Sequence, residues 1–293
     1  MPKTGRFTSD DAKTAHRRAY DALAARWPVP STTFDVPTSF GTTHVRRSGT
    51  GEGAPILLLP GIAGNGTVWH RFIEDFARDH VVYTPDVMGW PGRCVQTAPL
   101  RDGADIAQWA VEVLDGLGVD RVHLAGNSLG TWLAGMVGVH HSERLASITM
   151  FEPGGATFTK PSPGLLFKFV LLGMRATPER MRKFNQWLTP RSELDTEELA
   201  MAAAAAKFRP GMPWDRMLTD EQMTALTAPL LVLYGAETVV SDPAAGSARI
   251  RKFIPAAEIE VYPGVGHDLL WANPEQVIPR FLDFIDSHDQ VRA

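Results

Sequence analysis

One stretch limits the possible folds of this chain more than any other, the sequence Val122-His-Leu-Ala-Gly-Asn-Ser-Leu-Gly130. An apolar run of strand type ends in Gly126-Asn-Ser128-Leu-Gly130, and a helical pattern of small and apolar residues follows. In a G-x-S-x-G pattern between strand and helix, the serine sits on a sharp turn with its Oγ exposed above the sheet. A Cβ on either glycine would crowd that turn. The stretch predicts Ser128 as a nucleophile, although an ordinary turn serine would fit the five residues alone.

Strand and helix patterns alternate on both sides of this stretch. Apolar runs bounded by proline and glycine, such as Ala54 to Pro60, are typical of buried parallel strands. The alternation stops over residues 154–228, where the patterns are mostly helical and no strand is convincing. The sequence therefore predicts one domain of the α/β class, with a mostly parallel sheet covered by helices on both faces. Its core would comprise residues 1–153 and 229–293, with a helical lid, 154–228, inserted after the sixth predicted strand.

Several helices are predicted from amphipathic patterns and capping residues. Those outside the central stretch that matter most are Ser9 to Trp27, Leu165 to Met174, Pro178 to Leu188 and Thr196 to Phe208. The last three lie in the predicted lid, which also holds six of the ten methionines. Because methionine is deformable and polarizable, it suits both an ordinary helical core and an apolar cover over a binding cavity.

Composition excludes several classes of protein. A chain of 293 residues with 44% hydrophobic and 21% charged residues is an ordinary globular protein with a large core. Its net charge of −4 gives no electrostatic reason to expect nucleic acid or an anionic membrane as partner. The single cysteine, Cys94, precludes an intrachain disulfide or a multi-cysteine metal site. Since no signal-like segment and no apolar run of about 20 residues is present, we expect a cytoplasmic protein without membrane insertion.

The chain resembles the α/β-hydrolase superfamily over essentially its whole length, by Ser128 and by the loop after Leu59. Within that superfamily, Trp27-Pro-Val-Pro, Phe40-Gly-Thr-Thr-His-Val and Asn127-Ser-Leu-Gly130 are similar to bacterial carboxylesterases of the naproxen-esterase type. The resemblance implies the α/β-hydrolase fold and a serine hydrolase. It implies no metal and no organic cofactor.

A serine hydroxyl is a weak nucleophile until a base takes its proton, and histidine is the usual base. Among the nine histidines, His267 differs from the others because it follows the last predicted strand in Pro263-Gly-Val-Gly-His-Asp268. The glycines allow this loop to swing over the end of the sheet. His267 also comes after Ser128, as the order Ser…acid…His of this superfamily requires. His267 is therefore the predicted base.

Three carboxylates are candidates for the acid that would orient the histidine. The superfamily commonly carries it as G-x-x-D after the strand Leu230 to Tyr234, but here the last position is Thr238, which has no charge. Glu237 is one residue away, and Asp242 is expected to cap the next helix. Glu152 ends an earlier strand, where haloalkane dehalogenases and related luciferases carry their acid. We predict Glu152 as the acid, with Glu237 as the main alternative.

The superfamily resemblance also implies the oxyanion donors. One is the N–H of the residue after the nucleophile, here Leu129, and the other is the N–H of Ile62 in the loop after the third predicted strand. This chain has Pro60-Gly61 where the superfamily usually has His-Gly. Because the donor is a backbone group, Pro60 need not abolish the oxyanion hole, although it can shift the loop. The predicted substrate-binding wall residues are Trp69, Met88, Trp90 and Trp271.

The leading hypothesis is a serine hydrolase that cleaves a small or medium apolar carboxylic ester through an acyl-enzyme. One alternative is a C–C bond hydrolase or a hydroxynitrile-type lyase on the same triad. Another is a non-catalytic ligand-binding protein with the hydrolase fold. Alkyl-enzyme chemistry of the haloalkane dehalogenase or epoxide hydrolase kind is excluded, because it needs a carboxylate where this chain has Ser128. The expected partner is a small apolar substrate, and the oligomeric state stays open.

Overall fold

The computed structural model describes residues 3–154, 156–161, 164–165, 167–168, 171, 177–214 and 216–289. Its strands, numbered in chain order, are β1 (Arg6–Phe7), β2 (Ser31–Thr38), β3 (Gly41–Ser48), β4 (Ile56–Leu59), β5 (Val82–Pro85), β6 (Val95–Gln96), β7 (Val122–Asn127), β8 (Leu145–Phe151), β9 (Phe208–Arg209), β10 (Leu230–Gly235) and β11 (Glu258–Tyr262). Its helices, numbered the same way within the described residues, are α1 (Asp10–Ala24), α2 (Ile73–Phe76), α3 (Gly103–Gly116), α4 (Leu129–His141), α5 (Pro178–Leu188), α6 (Thr196–Ala205), α7 (Asp220–Ala225), α8 (Pro243–Phe253), α9 (Leu269–Ala272) and α10 (Pro274–Asp289).

The main sheet has the strand order β11-β10-β8-β7-β4-β5-β3-β2, with β6 paired to β3. The six strands from β11 to β5 in this order run parallel, whereas β2, β3 and β6 are antiparallel to their neighbours. This confirms the predicted, mostly parallel sheet. Because parallel strands present their carboxyl ends at one edge, the loops after β4, β7, β8 and β10 meet there, which is where α/β proteins place their sites.

Apolar side chains cover both faces of the sheet. In β4, Leu57 and Leu59 belong to one buried cluster that also contains residues of α3 and α4. Ile56 and Leu58 belong to another cluster, which contains residues of α2 and α10. Successive strand residues point to opposite faces, so an uninterrupted apolar run such as that of β4 requires helices on both sides. The two clusters meet that requirement.

The described residues between β8 and β10 contain the helices α5, α6 and α7. Helix α5 has the predicted bounds. It begins at Pro178 because Thr177 caps it, accepting a hydrogen bond from the Arg180 N–H at 3.3 Å, and because proline suits the first turn of a helix. Helix α6 begins with a capping box formed by Asp195 and Glu198. The predicted helix from Leu165 to Met174 includes residues outside the described part of the chain.

One element of this insertion was not expected from the sequence. Helix α6 ends at Ala205 rather than at Phe208, and Phe208–Arg209 forms β9, which pairs with β1 in an antiparallel ladder. The expectation that residues 154–228 contain no strand was therefore wrong. A strand of two residues is too short to show a period-2 pattern, and its pairing partner lies about 200 residues away in the sequence.

The N-terminal segment fastens this part of the insertion to the core. Helix α1, capped by Ser9, packs against α6, where Met201 joins Tyr20 and Leu23 in a small apolar cluster. Arg71 donates from Nε to Glu198 at 2.7 Å, which ties α6 to the segment after β4. Helix α1 ends at Ala24, three residues before the predicted end.

The described residues include no helix that is both long and apolar enough to cross a bilayer. Within the same residues, no group of three or more His, Cys, Asp or Glu side chains is arranged to hold a metal ion.

Candidate active site

Ser128 occupies the turn between β7 and α4 with φ 53° and ψ −115°. The left-handed region is unfavourable for a residue with a Cβ and costs on the order of 1–3 kcal/mol, so surrounding contacts must hold it. The Ser128 N–H donates to the Phe151 carbonyl at 3.0 Å. The Ser128 carbonyl accepts from the Thr131 hydroxyl at 2.6 Å and from the Gly154 N–H at 3.2 Å. These bonds fix the turn from both sides.

The glycines of the pattern are required by close backbone approach. A Cβ on Gly126 would lie 2.2 Å from the Gly130 carbonyl oxygen, and one on Gly130 would lie 2.3 Å from the Leu59 carbonyl oxygen. Both distances are far below van der Waals contact, and both opposing atoms are backbone. The predicted steric reason for the two glycines is therefore confirmed.

We expect Gly130→Ala to lower the free energy of unfolding by about 3 kcal/mol, because the methyl group can be accommodated only by moving the backbone of β4. Urea denaturation would measure this change. Gly135→Ala in the same helix is the matched control, since its Cβ would meet only flexible side-chain atoms, of Leu218 at 3.4 Å and of Met150 at 3.7 Å. The control should be neutral or stabilising by up to about 1 kcal/mol through helix propensity. Equal losses in both variants would contradict the steric explanation.

The imidazole of His267 lies beside the Ser128 hydroxyl. His267 is in the loop between β11 and α9, and its Nε2 lies 2.9 Å from Ser128 Oγ. Its other ring nitrogen, Nδ1, lies 3.2 Å from Glu152 Oε2. The side chains of His267 and Glu152 are 5% and 1% exposed, so both ring nitrogens of His267 make these contacts away from bulk water. The structure thus brings together the serine, the histidine and the carboxylate that the sequence predicts.

Glu152 directly follows β8 with φ 50°, another non-glycine residue in the left-handed region. Its Oε1 accepts a hydrogen bond from the Gly235 N–H at the end of β10, and its own N–H donates to the Leu233 carbonyl at 2.8 Å. Burial raises the pKa of Glu152, while the hydrogen bond with His267 and the charge of its ring act in the opposite direction. The adjacent imidazole therefore favours the carboxylate form.

The alternative acids lie elsewhere. Glu237 is exposed in the loop after β10, and its N–H donates to the Val265 carbonyl at 2.8 Å. Asp242 caps α8 by accepting from the Ala245 N–H at 3.0 Å, which confirms the predicted cap. Of the three carboxylates considered in the sequence, Glu152 is the one in hydrogen-bonding contact with His267.

The two predicted oxyanion donors lie in the two segments next to Ser128, helix α4 and the loop after β4. Leu129 is the first residue of α4, where a backbone N–H has no partner within the helix and the helix dipole favours negative charge. The loop after β4 packs on Ser128, since a Cβ on Gly61 would lie 3.3 Å from Ser128 Cβ. Ile62, the next residue in that loop, is half-buried against the apolar cluster that contains Leu129. Both residues therefore lie close to the serine, and their role as donors stays a prediction.

The predicted wall residues do not lie in a single cluster. Trp69 and Trp271 belong to the cluster on the α10 face, where Trp271 packs edge-on against Phe72 at 5.1 Å between ring centroids. Met88 and Trp90 belong to the cluster on the α4 face. Trp90 also lines a groove of about 820 Å³ formed partly by the N-terminal segment. The sequence did not indicate on which face of the sheet each of these residues would lie.

Two threonines near Ser128 and His267 make contacts that were not predicted from the sequence. The fully buried Thr131 holds the Ser128 carbonyl, and its hydroxyl also lies 3.0 Å from Thr157 Oγ1. Thr238, which stands where the superfamily commonly has its acid, has its Oγ1 3.4 Å from His267 Nδ1. The departure at Thr238 was visible in the sequence, but its contact depends on three loops that only the folded chain brings together.

Comparison with known proteins places the chain in a family. Residues 56–280 match the model of the alpha/beta hydrolase family. The chain belongs to that family, and it is a hydrolase. It is 26% identical over 284 residues to the uncharacterized carboxylesterase nap of Bacillus subtilis, covering 92% of each chain. It is 25% identical over 291 residues to carboxylesterase YbfK of the same organism, covering 95% of this chain and 96% of the relative. The structure of naproxen esterase from Bacillus subtilis superposes with a TM-score of 0.86 at 27% identity, over 94% of this chain and 98% of that one.

Proposed function

We propose that this hydrolase cleaves small or medium apolar carboxylic esters through an acyl-enzyme formed on Ser128. The observation that carries the proposal is the distance of 2.9 Å between Ser128 Oγ and His267 Nε2, on a strained turn after the central strand β7. Nucleophile and base within hydrogen-bonding reach, with the base oriented by a third group, is the arrangement that activates a serine hydroxyl. The similarity to carboxylesterases supports an ester as the substrate.

The proposed reaction proceeds in two halves. Ser128 Oγ attacks the ester carbonyl while His267 Nε2 takes the hydroxyl proton, and the N–H groups of Leu129 and Ile62 donate to the oxyanion. The C–O bond to the alcohol then breaks, and the imidazolium gives its proton to the leaving oxygen. Water attacks the acyl-enzyme with His267 again as base, which releases the acid and restores Ser128. Glu152 accepts the Nδ1–H of His267 and stabilises the imidazolium in both halves.

We also propose that residues 154–228 act as a lid, with residues 1–153 and 229–293 forming the core of a single domain. The Arg191 N–H donates at 2.7 Å to Oδ2 of the buried Asp268, the residue after His267. This contact supports a cover directly next to the reacting groups. The Arg26–Asp195 ion pair, the Arg71–Glu198 hydrogen bond and the β1–β9 ladder would hold α6 and β9 of this lid against the core.

A fluorophosphonate probe and a series of p-nitrophenyl esters would test the proposed function. We expect stoichiometric labelling of the purified protein at Ser128, mapped by peptide mass spectrometry, because phosphonylation requires an activated hydroxyl. The same protein should hydrolyse the acetate and butyrate esters. Absence of both labelling and hydrolysis would contradict the proposal and favour a non-catalytic ligand-binding protein. Labelling without turnover of any ester would instead favour C–C bond hydrolysis or a lyase reaction on the same residues.

A further inference from the structure

The Thr238 hydroxyl lies next to the ring nitrogen of His267 that faces Glu152. Its Oγ1 lies 3.4 Å from His267 Nδ1, the ring nitrogen that also lies 3.2 Å from Glu152 Oε2. We propose that Thr238 is a positioning residue, whose hydroxyl holds the His267 ring with its Nδ1 facing the Glu152 carboxylate. This inference rests on the proposed function of Ser128 and His267.

A hydroxyl is suited to this position because it has one O–H donor and two acceptor lone pairs. The O–H can donate to the Glu152 carboxylate, which only accepts, while a lone pair accepts from the Nδ1–H of His267. A proton held on Nδ1 leaves Nε2 free to accept the proton of Ser128. The hydrogen bond from Thr238 lowers the pKa of Glu152 and so opposes the effect of burial, which raises it.

Contacts at the end of β10 hold Thr238 in register with Glu152. The Gly235 N–H donates to Glu152 Oε1, and the Gly235 carbonyl accepts from the Thr238 N–H at 3.3 Å. A Cβ on Gly235 would lie 2.3 Å from the Gly266 carbonyl oxygen, so only glycine lets this loop approach the loop of His267. One glycine thus links the backbone around the carboxylate, the hydroxyl and the imidazole.

Valine and serine substitutions at position 238 distinguish the effect of the hydroxyl from the effect of side-chain volume. Thr238→Val keeps the shape of the side chain but removes the donor and the acceptor. We expect kcat to fall about tenfold, which is the rate effect of losing one hydrogen bond to a charged group. KM should stay within about twofold, since the hydroxyl is proposed to act on Glu152 and His267 rather than on substrate.

The pH profile is the readout that a purely structural threonine would not change. Without the Thr238 bond, the charged form of Glu152 is less favoured and its pKa rises further. The carboxylate would then be lost at higher pH as the solution is acidified. The acidic limb of kcat/KM should therefore move toward neutral pH by roughly half a unit to one unit in Thr238→Val. Thr238→Ser should restore both kcat and the profile.

Two results would overturn the inference. One is a Thr238→Val enzyme with the kcat and pH profile of the parent protein, and the other is equal impairment of the valine and serine variants, which would indicate packing. Ser128→Ala, assayed on the same ester, distinguishes this failure from failure of the proposed function. Full activity of Ser128→Ala would refute the function itself, whereas its inactivity beside a normal Thr238→Val would refute only the role of Thr238.

Discussion

Ser128→Ala and His267→Ala will each reduce kcat for p-nitrophenyl butyrate about 100,000-fold, the scale on which a serine hydrolase loses activity when its nucleophile or base is removed. Either change breaks the Ser128 Oγ–His267 Nε2 contact of 2.9 Å on which proton transfer would depend. The double variant should be no less active than either single one, since the two groups act as a unit. Steady-state kinetics on purified variants would measure the loss, and circular dichroism would verify the fold.

The matched control is His140→Ala, because His140 is an exposed histidine at the end of α4. This variant should keep kcat and fluorophosphonate labelling within about twofold of the parent protein. Labelling should disappear in Ser128→Ala and slow strongly in His267→Ala. If His267→Ala kept most of its turnover, a different base would have to serve Ser128, and the proposed mechanism would be wrong.

Glu152→Gln will reduce kcat about 10,000-fold, whereas Glu237→Gln will change it less than threefold. The glutamine carbonyl can still accept from the Gly235 N–H, so the fold around position 152 should persist. Its amide NH₂, or an uncharged oxygen, would face His267 Nδ1 in place of the carboxylate. Either the wrong imidazole tautomer is then favoured or the imidazolium loses its counter-charge. The two variants would be assayed side by side over pH 5 to 9.

A carboxylate introduced at position 238 tests whether the acid can serve His267 from a position other than 152. An aspartate oxygen lies one bond further from the backbone than Thr238 Oγ1, which is already 3.4 Å from His267 Nδ1. The double variant Glu152→Gln, Thr238→Asp should therefore have a kcat more than about tenfold above that of Glu152→Gln alone. A severe loss in Glu237→Gln, together with a harmless Glu152→Gln, would overturn the assignment of the acid.

The fold and the pair Ser128 and His267 were accessible from the sequence for physical reasons. The G-x-S-x-G turn is a local pattern whose glycines are enforced by contacts within the turn and with the strand beside it. The glycine-flanked histidine after the last strand follows from chain order and from the shared edge of parallel strands. Neither prediction required knowledge of contacts between distant loops.

The acid was harder to predict because its selection depends on such contacts. The sequence places Glu152, Glu237 and Asp242 after strands or before a helix, all near one edge of the sheet. What separates them is the path of the loop after β10, whose Gly235 N–H bonds Glu152 while Glu237 faces solvent. The β1–β9 pair and the division of the tryptophans between two sheet faces escaped prediction for the same reason.

Ser128 and Glu152 both have positive φ, at the ends of the neighbouring strands β7 and β8, and the Ser128 N–H donates to the carbonyl of the residue before Glu152. Glycine at either position would relax the backbone while removing a group that the proposed chemistry needs. At these two positions, a substitution that stabilises the fold therefore removes catalytic activity. Selection of variants for heat resistance alone would favour glycine here and yield an inactive protein.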